Sequence, residues 1–193
     1  MLHHIADLIV SCLEKRRIIV SSANEREVYV YGFDIAIYTI VSTVGLLLIG
    51  FLFVRPLETF LLVCVFYLNQ TIGGGYHANS HLSCFFVMVA GLLVFFVFLS
   101  TEIPESVCIA LAIASFIILL IDPVVLHDNK KYLSYRMPYF IRRSRLTIAI
   151  QMVIFFFIAP LGFHSMIKVL SLSIFACAVS RESALISRQL KST

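Results

Sequence analysis

Charge is scarce in this sequence. Only 13% of its 193 residues are Asp, Glu, Lys or Arg, whereas 60% are hydrophobic. Soluble domains are about half apolar and about a quarter charged, so the composition excludes an ordinary soluble domain. It indicates a protein of the lipid bilayer instead.

The sequence also predicts no cleavable signal peptide. Residues 1–34 carry several charged side chains ahead of the first long apolar run, and no small-residue cleavage site follows that run. We therefore expect the membrane spans themselves to direct insertion.

Paired cysteine spacings are absent as well. The chain has five cysteines, an odd number, and most of them lie in apolar runs where a free thiol behaves as a small hydrophobic side chain. They are Cys12, Cys64, Cys84, Cys108 and Cys177. No disulfide framework is predicted.

The chain nevertheless has a small excess of positive charge, with 15 Lys and Arg against 11 Asp and Glu. Most of the cationic residues sit beside apolar runs, where membrane orientation and contact with anionic lipid explain them. We predict no nucleic-acid partner.

Apolar runs predict six transmembrane helices. The first, residues 35–54, has twenty uncharged residues, which at about 1.5 Å per residue cross roughly 30 Å of hydrocarbon. The others are residues 57–68, 82–99, 107–121, 146–163 and 166–179. The predicted fold is an all-α, polytopic integral membrane protein.

One membrane domain, residues 1–193, accounts for the whole chain. It divides into a cytoplasmic amphipathic helix and linker (1–34), the six spans (35–180) and a cytoplasmic tail (181–193). Apolar residues recur in residues 1–20 at three- and four-residue intervals, which predicts a helix lying in the membrane surface. Packing of this helix on the protein's own cytoplasmic face is the alternative.

Positive charge is distributed unevenly between the predicted loops. With six spans, both termini, residues 73–84 and the long loop 122–145 share one side of the membrane. That side carries Lys15, Arg16, Arg17, Arg26, Lys130, Lys131, Arg136, Arg142, Arg143, Arg145, Arg181, Arg188 and Lys191. The positive-inside rule predicts a multi-pass membrane protein with this side in the cytoplasm.

Residues 73–84, the sequence GGGYHANSHLSC, form a polar island between two apolar runs. A cysteine is a nucleophile only as its thiolate, and a free thiol with a pKa of about 8.5 is ionised by only a few per cent at neutral pH. Capping by Asn79 or Ser80 of a helix that begins near His81 would place Cys84 in its first turn, where the helix dipole favours negative charge. His77 could take the proton of the thiol.

Geometry restricts how His77 and Cys84 can meet. Seven positions along one straight helix are separated by about 10.5 Å, which is beyond hydrogen-bond reach. His77 must therefore lie off the helix and fold back, and the three glycines 73–75 permit such a chain reversal. The alternative is that the three glycines only make a flexible turn.

Two other uses of the polar island remain open on spacing alone. His81 lies three residues before Cys84 on the same helical face and is a rival base. His77, His81 and Cys84 could also hold a metal, although no Glu follows the first His as in metalloprotease motifs. Further ligands could come from Asp122, His127 and Asp128. We predict no metal.

The sequence from Gly74 to Ala78, Gly-Gly-Tyr-His-Ala, followed by Cys84 in a six-span chain with an amphipathic start, resembles the accessory gene regulator B (AgrB) family. Members of that family are bacterial membrane cysteine endopeptidases that mature a quorum-sensing propeptide. The resemblance implies Cys84 as the nucleophile, His77 as its base and Gly74 and Gly75 as supporting residues. It further implies an AgrD-like propeptide as substrate, a homodimer and no cofactor.

The chain departs from the family before the glycines and is similar to it in the long loop. Family members commonly carry a basic residue shortly before the glycines, where this chain has Asn69-Gln70-Thr71. Gln70 could do the work of that cation by hydrogen bonding. Lys130 and Lys131 are similar to basic loop residues linked to processing, which implies a role in substrate binding.

The implied reaction removes the acidic carboxyl-terminal tail of the propeptide and leaves a thioester on Cys84. A Cys or Ser side chain of the peptide then attacks the thioester and releases a thiolactone or lactone ring. A small peptide exporter without proteolysis, in which the glycines break a helix at a substrate site, is the alternative function.

Overall fold

The computed structural model describes residues 2–19, 23–76, 78, 80–125 and 136–192. Every regular element in these ranges is helical, and none is a strand, as the sequence predicts. The helices are α1 (Leu2–Lys15), α2 (Ala23–Leu52), α3 (Pro56–Gly73), α4 (His81–Ser100), α5 (Glu105–Ile121), α6 (Met137–Ile158) and α7 (His164–Ser192). A short 3-10 helix, Ala159–Leu161, follows α6.

Among the described residues, four helical stretches are long and apolar enough to cross a membrane: Glu25–Leu52, His81–Ser100, Met137–Leu161 and His164–Leu190. Helix α5 is apolar but shorter, with 17 residues. Large apolar side chains such as Leu82, Phe86 and Val97 are exposed along α4, where lipid rather than water is the compatible neighbour. The protein is therefore a polytopic membrane protein, and the predicted number of six spans stays a prediction.

Several helices extend beyond the predicted spans. Helix α2 begins at Ala23 rather than at residue 35, α6 begins at Met137 inside the predicted long loop, and α7 continues to Ser192. Hydropathy marks only the part of a helix that fits hydrocarbon, whereas polar helix formers continue the helix into the headgroup region. Pro138 in the first turn of α6 suits a helix start because its missing N–H needs no partner there.

The chain forms two compact units, Met1–Ile49 and Gly50–Thr193. In the first unit, Ala6 and Val10 of α1 are fully buried against Val30 of α2. Arg26 of α2 donates to the carboxylates of Asp7 at 2.7 Å and Glu14 at 3.3 Å. Helix α1 thus packs on another part of the chain.

Other apolar residues of α1 point elsewhere. Ile5 and Leu8 are exposed, and so is Cys12. Helix α1 therefore keeps an apolar surface beside the one that packs on α2, and its place in the membrane surface stays a prediction.

Helix α7 lies at the centre of the second unit, where it packs chiefly on α5 and α3. Its buried side combines apolar residues with small polar ones, such as Ile174, Cys177 and Ser173. Ser173 Oγ donates to the carbonyl of Val169 in the same helix, so the hydroxyl is satisfied without a partner from another helix. Its middle, at Ser180 and Arg181, lies beside the polar island.

Candidate functional site

Cys84 lies in the first turn of α4. Ser80 is the N-cap in extended conformation, and its Oγ accepts the Ser83 N–H at 3.1 Å. The Cys84 N–H donates to the carbonyl of Ser80 at 2.9 Å, which is the first bond of the helix. The predicted capping is therefore made by Ser80, and the thiol of Cys84 is partly exposed.

The three glycines between α3 and α4 form a tight turn with Tyr76. We call residues 73–76 the glycine turn. Helix α3 ends at Gly73, and Gly74 has φ +73° and ψ −178°, a region that is essentially restricted to glycine. The Gly74 N–H donates to the carbonyl of Gln70 at 3.0 Å, and the Val125 N–H donates to that of Gly73 at 2.8 Å. A Cβ on Gly74 would lie 2.3 Å from the carbonyl oxygen of Val125.

The second half of the glycine turn is hydrogen-bonded to Ser180 of α7 and to the Gln70 side chain of α3. The Tyr76 N–H donates to the carbonyl of Ser180 at 3.0 Å and lies 3.2 Å from its Oγ. Gln70 Nε2 donates to the carbonyl of Tyr76 at 3.3 Å. A Cβ on Gly75 would lie 2.1 Å from Gln70 Oε1 and 2.8 Å from Ser180 Oγ. All three glycines are therefore closely packed, which favours a specific turn over a merely flexible one.

Arg181 closes the glycine turn from the side of α7. Its side chain is 1% exposed, and its Nη1 donates to the carbonyls of Leu119 and Asp122, both at 3.3 Å. A Cβ on Gly73 would lie 2.0 Å from Arg181 Nη2. The guanidinium thus occupies the space that the absent side chain of Gly73 leaves open.

The sequence predicts for Arg181 only a contribution to membrane orientation, and it singles out nothing at Ser180. A signal is nevertheless present in the helical spacing. Arg181 follows Ile174 and Cys177 at intervals of seven and four residues, which places it on the buried face of α7. A cation on the apolar face of a membrane helix is a sign of a specific partner.

The segment that contacts the glycine turn from the other side, residues 123–125, is itself fastened to α6. Ser144 Oγ donates to the carbonyl of Pro123 at 2.6 Å, and both groups are buried. One turn back along α3, Asn69 Nδ2 donates to Gln151 Oε1 of α6 at 3.0 Å and to the carbonyl of Val65 at 2.9 Å. The end of α3 is therefore held by three other segments of the second unit.

Several predicted site residues lie outside the described residues. They are His77, Asn79, Lys130 and Lys131, together with His127 and Asp128 of the metal alternative. The pairing of His77 with Cys84 therefore stays a prediction. His81 is exposed in the first turn of α4. The described ranges contain no group of three or more His, Cys, Asp or Glu residues that could hold a metal ion, but this leaves out the residues just named.

A cavity of about 270 Å³ lies near the start of α7, away from the glycine turn. His164 contacts the carboxylate of Glu105 there, and Lys168 Nζ donates to the carbonyl of Leu99 at 2.9 Å. These contacts join the start of α7 to the start of α5 and the end of α4. Cys84 does not line the cavity, so we do not assign the cavity to the candidate site.

Comparison with known proteins gives one family. A sequence profile described as Accessory gene regulator B matches residues 6–181, which include the polar island and the contacts of α7 with the glycine turn. Neither the curated proteins nor the solved structures give a match. The profile covers far more than half of the chain, and the helical membrane fold agrees with the resemblance of residues 74–84. The chain belongs to the accessory gene regulator B family of quorum-sensing membrane proteins.

Proposed function

We propose that the protein is a membrane cysteine endopeptidase that removes the carboxyl-terminal tail of an AgrD-like quorum-sensing propeptide. Cys84 is the nucleophile and His77 its base. The observation that carries the proposal is the place of Cys84, a partly exposed thiol in the first turn of a capped helix. The closely packed glycine turn, which ends at Tyr76, supplies a fixed backbone directly before His77.

Two effects would act together on the Cys84 thiol. A helix N-terminus stabilises a nearby negative charge by about 0.3–1 kcal/mol at an exposed site, which changes the thiolate fraction by less than about tenfold. The first turn of α4 therefore favours the thiolate but does not supply all of the activation. Proton transfer from Cys84 to His77 supplies the remainder as a thiolate-imidazolium pair.

The first chemical step is an acyl transfer. Cys84 Sγ attacks the carbonyl carbon of the scissile peptide bond, and the thiol proton passes to His77. The tetrahedral intermediate expels the amine of the departing tail, which takes the proton from His77. The negative charge on the substrate oxygen develops beside the N-terminus of α4, where the helix dipole favours it.

The second step closes the ring. A Cys or Ser side chain of the bound peptide attacks the thioester carbonyl and returns the thiol of Cys84. Exchange of one thioester for another is nearly balanced in energy, whereas hydrolysis is strongly downhill, so water must be kept away. A site at the end of apolar helices, such as α3 and α4, suits this requirement.

Substrate and orientation belong to the same proposal. Lys130 and Lys131 would receive the acidic tail of the propeptide on the cytoplasmic side, where both termini also lie. A homodimer in the bacterial cytoplasmic membrane is the proposed state. An exporter that uses the glycines as an open helix break is less well supported, because Gln70, Val125 and Arg181 fill the space around them.

Cleavage by purified protein in lipid vesicles tests the proposal. We expect Cys84→Ala and His77→Ala each to abolish cleavage of the propeptide, because each removes a reacting group. Cys12→Ala is the matched control, since that thiol is also exposed but lies on α1. Cleavage by the Cys84→Ala protein, or uptake of intact propeptide into sealed vesicles without a cut product, would contradict the proposal.

A further inference from the structure

We propose that Ser180 and Arg181 are positioning residues that hold the glycine turn and thereby fix the backbone just before His77. The contacts of Ser180 and Arg181 with the glycine turn are observed within the second unit. Their effect on the reactivity of Cys84 rests on the proposed function, in which His77 activates that thiol.

The first support is the backbone contact of Ser180. The Tyr76 N–H, one residue before His77, donates to the Ser180 carbonyl at 3.0 Å, while Ser180 Oγ lies 3.2 Å from the same nitrogen. The same Oγ would lie only 2.8 Å from a Cβ on Gly75. Ser180 therefore binds the Tyr76 amide and, together with Gln70 Oε1 at 2.1 Å, leaves no room for a side chain at residue 75.

The second support is the burial of a cation. No acidic side chain of the described ranges lies within 4.0 Å of the Arg181 guanidinium, and its Nε is buried without a hydrogen-bond partner there. A buried charge with incomplete hydrogen bonding is costly, so such a group calls for a structural or functional reason. Arg188, on the same helix, remains exposed.

The reason is given by the three segments that Arg181 joins. Its Nη1 donates to the carbonyls of Leu119 and Asp122 at the end of α5, and its Nη2 lies against Gly73 at the end of α3. Asp122 leads directly into the segment whose Val125 amide binds the Gly73 carbonyl. Arg181 thus connects α7 both to the glycine turn and to the segment after α5 that is hydrogen-bonded to it.

Loss of this connection should affect the chemical step more than substrate binding. The glycine turn carries no residue that we assign to the substrate, but it precedes the proposed base by one residue. A looser turn would let His77 leave Cys84, so the thiol would be less often ionised and kcat would fall while KM changed little.

The test uses the full chain in lipid vesicles, and it compares alkylation of Cys84 by iodoacetamide with alkylation of Cys12 at neutral pH. Peptide mass spectrometry reads both sites, so the exposed Cys12 is an internal reference. In the unchanged protein we expect Cys84 to react faster than Cys12. Arg181→Met should lower the Cys84-to-Cys12 ratio about tenfold, corresponding to about one pK unit, and should lower kcat for cleavage with little change in KM.

Two further variants complete the comparison. Arg181→Lys keeps the charge but loses the planar fork, so it should recover part of the ratio. It also serves where Arg181→Met does not insert. Arg188→Met, which removes an exposed cation from the same helix, should leave the ratio unchanged.

An unchanged Cys84-to-Cys12 ratio in both Arg181 variants would overturn the positioning role, even if cleavage were lost. A ratio no greater than one in the unchanged protein would overturn it too, because there would be no activated thiol to position. The Cys84-to-Cys12 ratio could also fall in Arg181→Met while even the unchanged protein does not cleave the propeptide. That result would support the positioning role and reject the proposed substrate.

Discussion

Substitution of Gly74 by Ala is the sharpest perturbation of the glycine turn. The backbone of Gly74, at φ +73° and ψ −178°, costs any other residue about 1–3 kcal/mol. The new Cβ would lie 2.3 Å from the carbonyl oxygen of Val125, so residues 123–125 must move. That movement breaks the 2.8 Å bond from the Val125 N–H to the Gly73 carbonyl, at about 1–3 kcal/mol for a buried donor left unpaired.

Together these terms amount to about 2–6 kcal/mol against the native turn, and about 2 kcal/mol already corresponds to about thirtyfold. We expect Gly74→Ala to lower the rate of propeptide cleavage by at least that factor. Propeptide cleavage in vesicles and the thermal unfolding temperature in detergent are the two measurements.

Two other glycines separate the causes. Gly162 also has positive φ, +74°, but a Cβ there meets nothing within 4 Å, so Gly162→Ala should show the backbone cost alone, about 1–2 kcal/mol. Gly91 lies inside α4 with open space around it, so Gly91→Ala should be neutral or slightly stabilising. If the Gly74→Ala protein cleaves the propeptide as fast as the Gly91→Ala protein, the claim that cleavage requires the closely packed glycine turn is wrong.

Two more predictions concern the ends of α3 and α4. Ser80→Ala removes the cap that accepts the Ser83 N–H and should destabilise the start of α4 by about 1 kcal/mol; thermal unfolding and cleavage should both respond, and Ser80→Asp should restore them. Asn69→Leu leaves the half-buried Gln151 without its partner and should lower the free energy of unfolding by about 1–3 kcal/mol. The double variant with Gln151→Leu should recover most of that loss, and a double variant less stable than Asn69→Leu would refute the pairing.

Local features of the fold could be predicted from the sequence because they depend on neighbouring residues. Hydropathy located the apolar helices, and the two candidate caps, Asn79 and Ser80, ahead of an apolar run located the start of α4. Hydropathy could not show that α2 begins at Ala23 or that α6 begins at Met137, since polar helix formers carry no membrane signal.

The surroundings of the candidate site depended on contacts between distant parts of the chain. The glycines indicated an unusual turn, but the carbonyl of Val125 and the hydroxyl of Ser180, which leave no room for a side chain there, lie about 50 and 100 residues further on. Gln70 donates to the Tyr76 carbonyl of the glycine turn, whereas its predicted role in place of a basic residue stays a prediction. Arg181 was missed as part of this site because a charge near the end of a span is usually an orientation signal.

The covalent intermediate on Cys84 is the most direct test of the proposed chemistry. Propeptide is mixed with the protein in vesicles, the reaction is stopped in acid, and the mass of the Cys84 peptide is measured with and without hydroxylamine. The proposal predicts a propeptide fragment lacking its carboxyl-terminal tail, bound to Cys84 as a thioester that hydroxylamine removes and absent from Cys84→Ala. Cleavage with no adduct at Cys84 at any time, or an adduct on another cysteine, would contradict it.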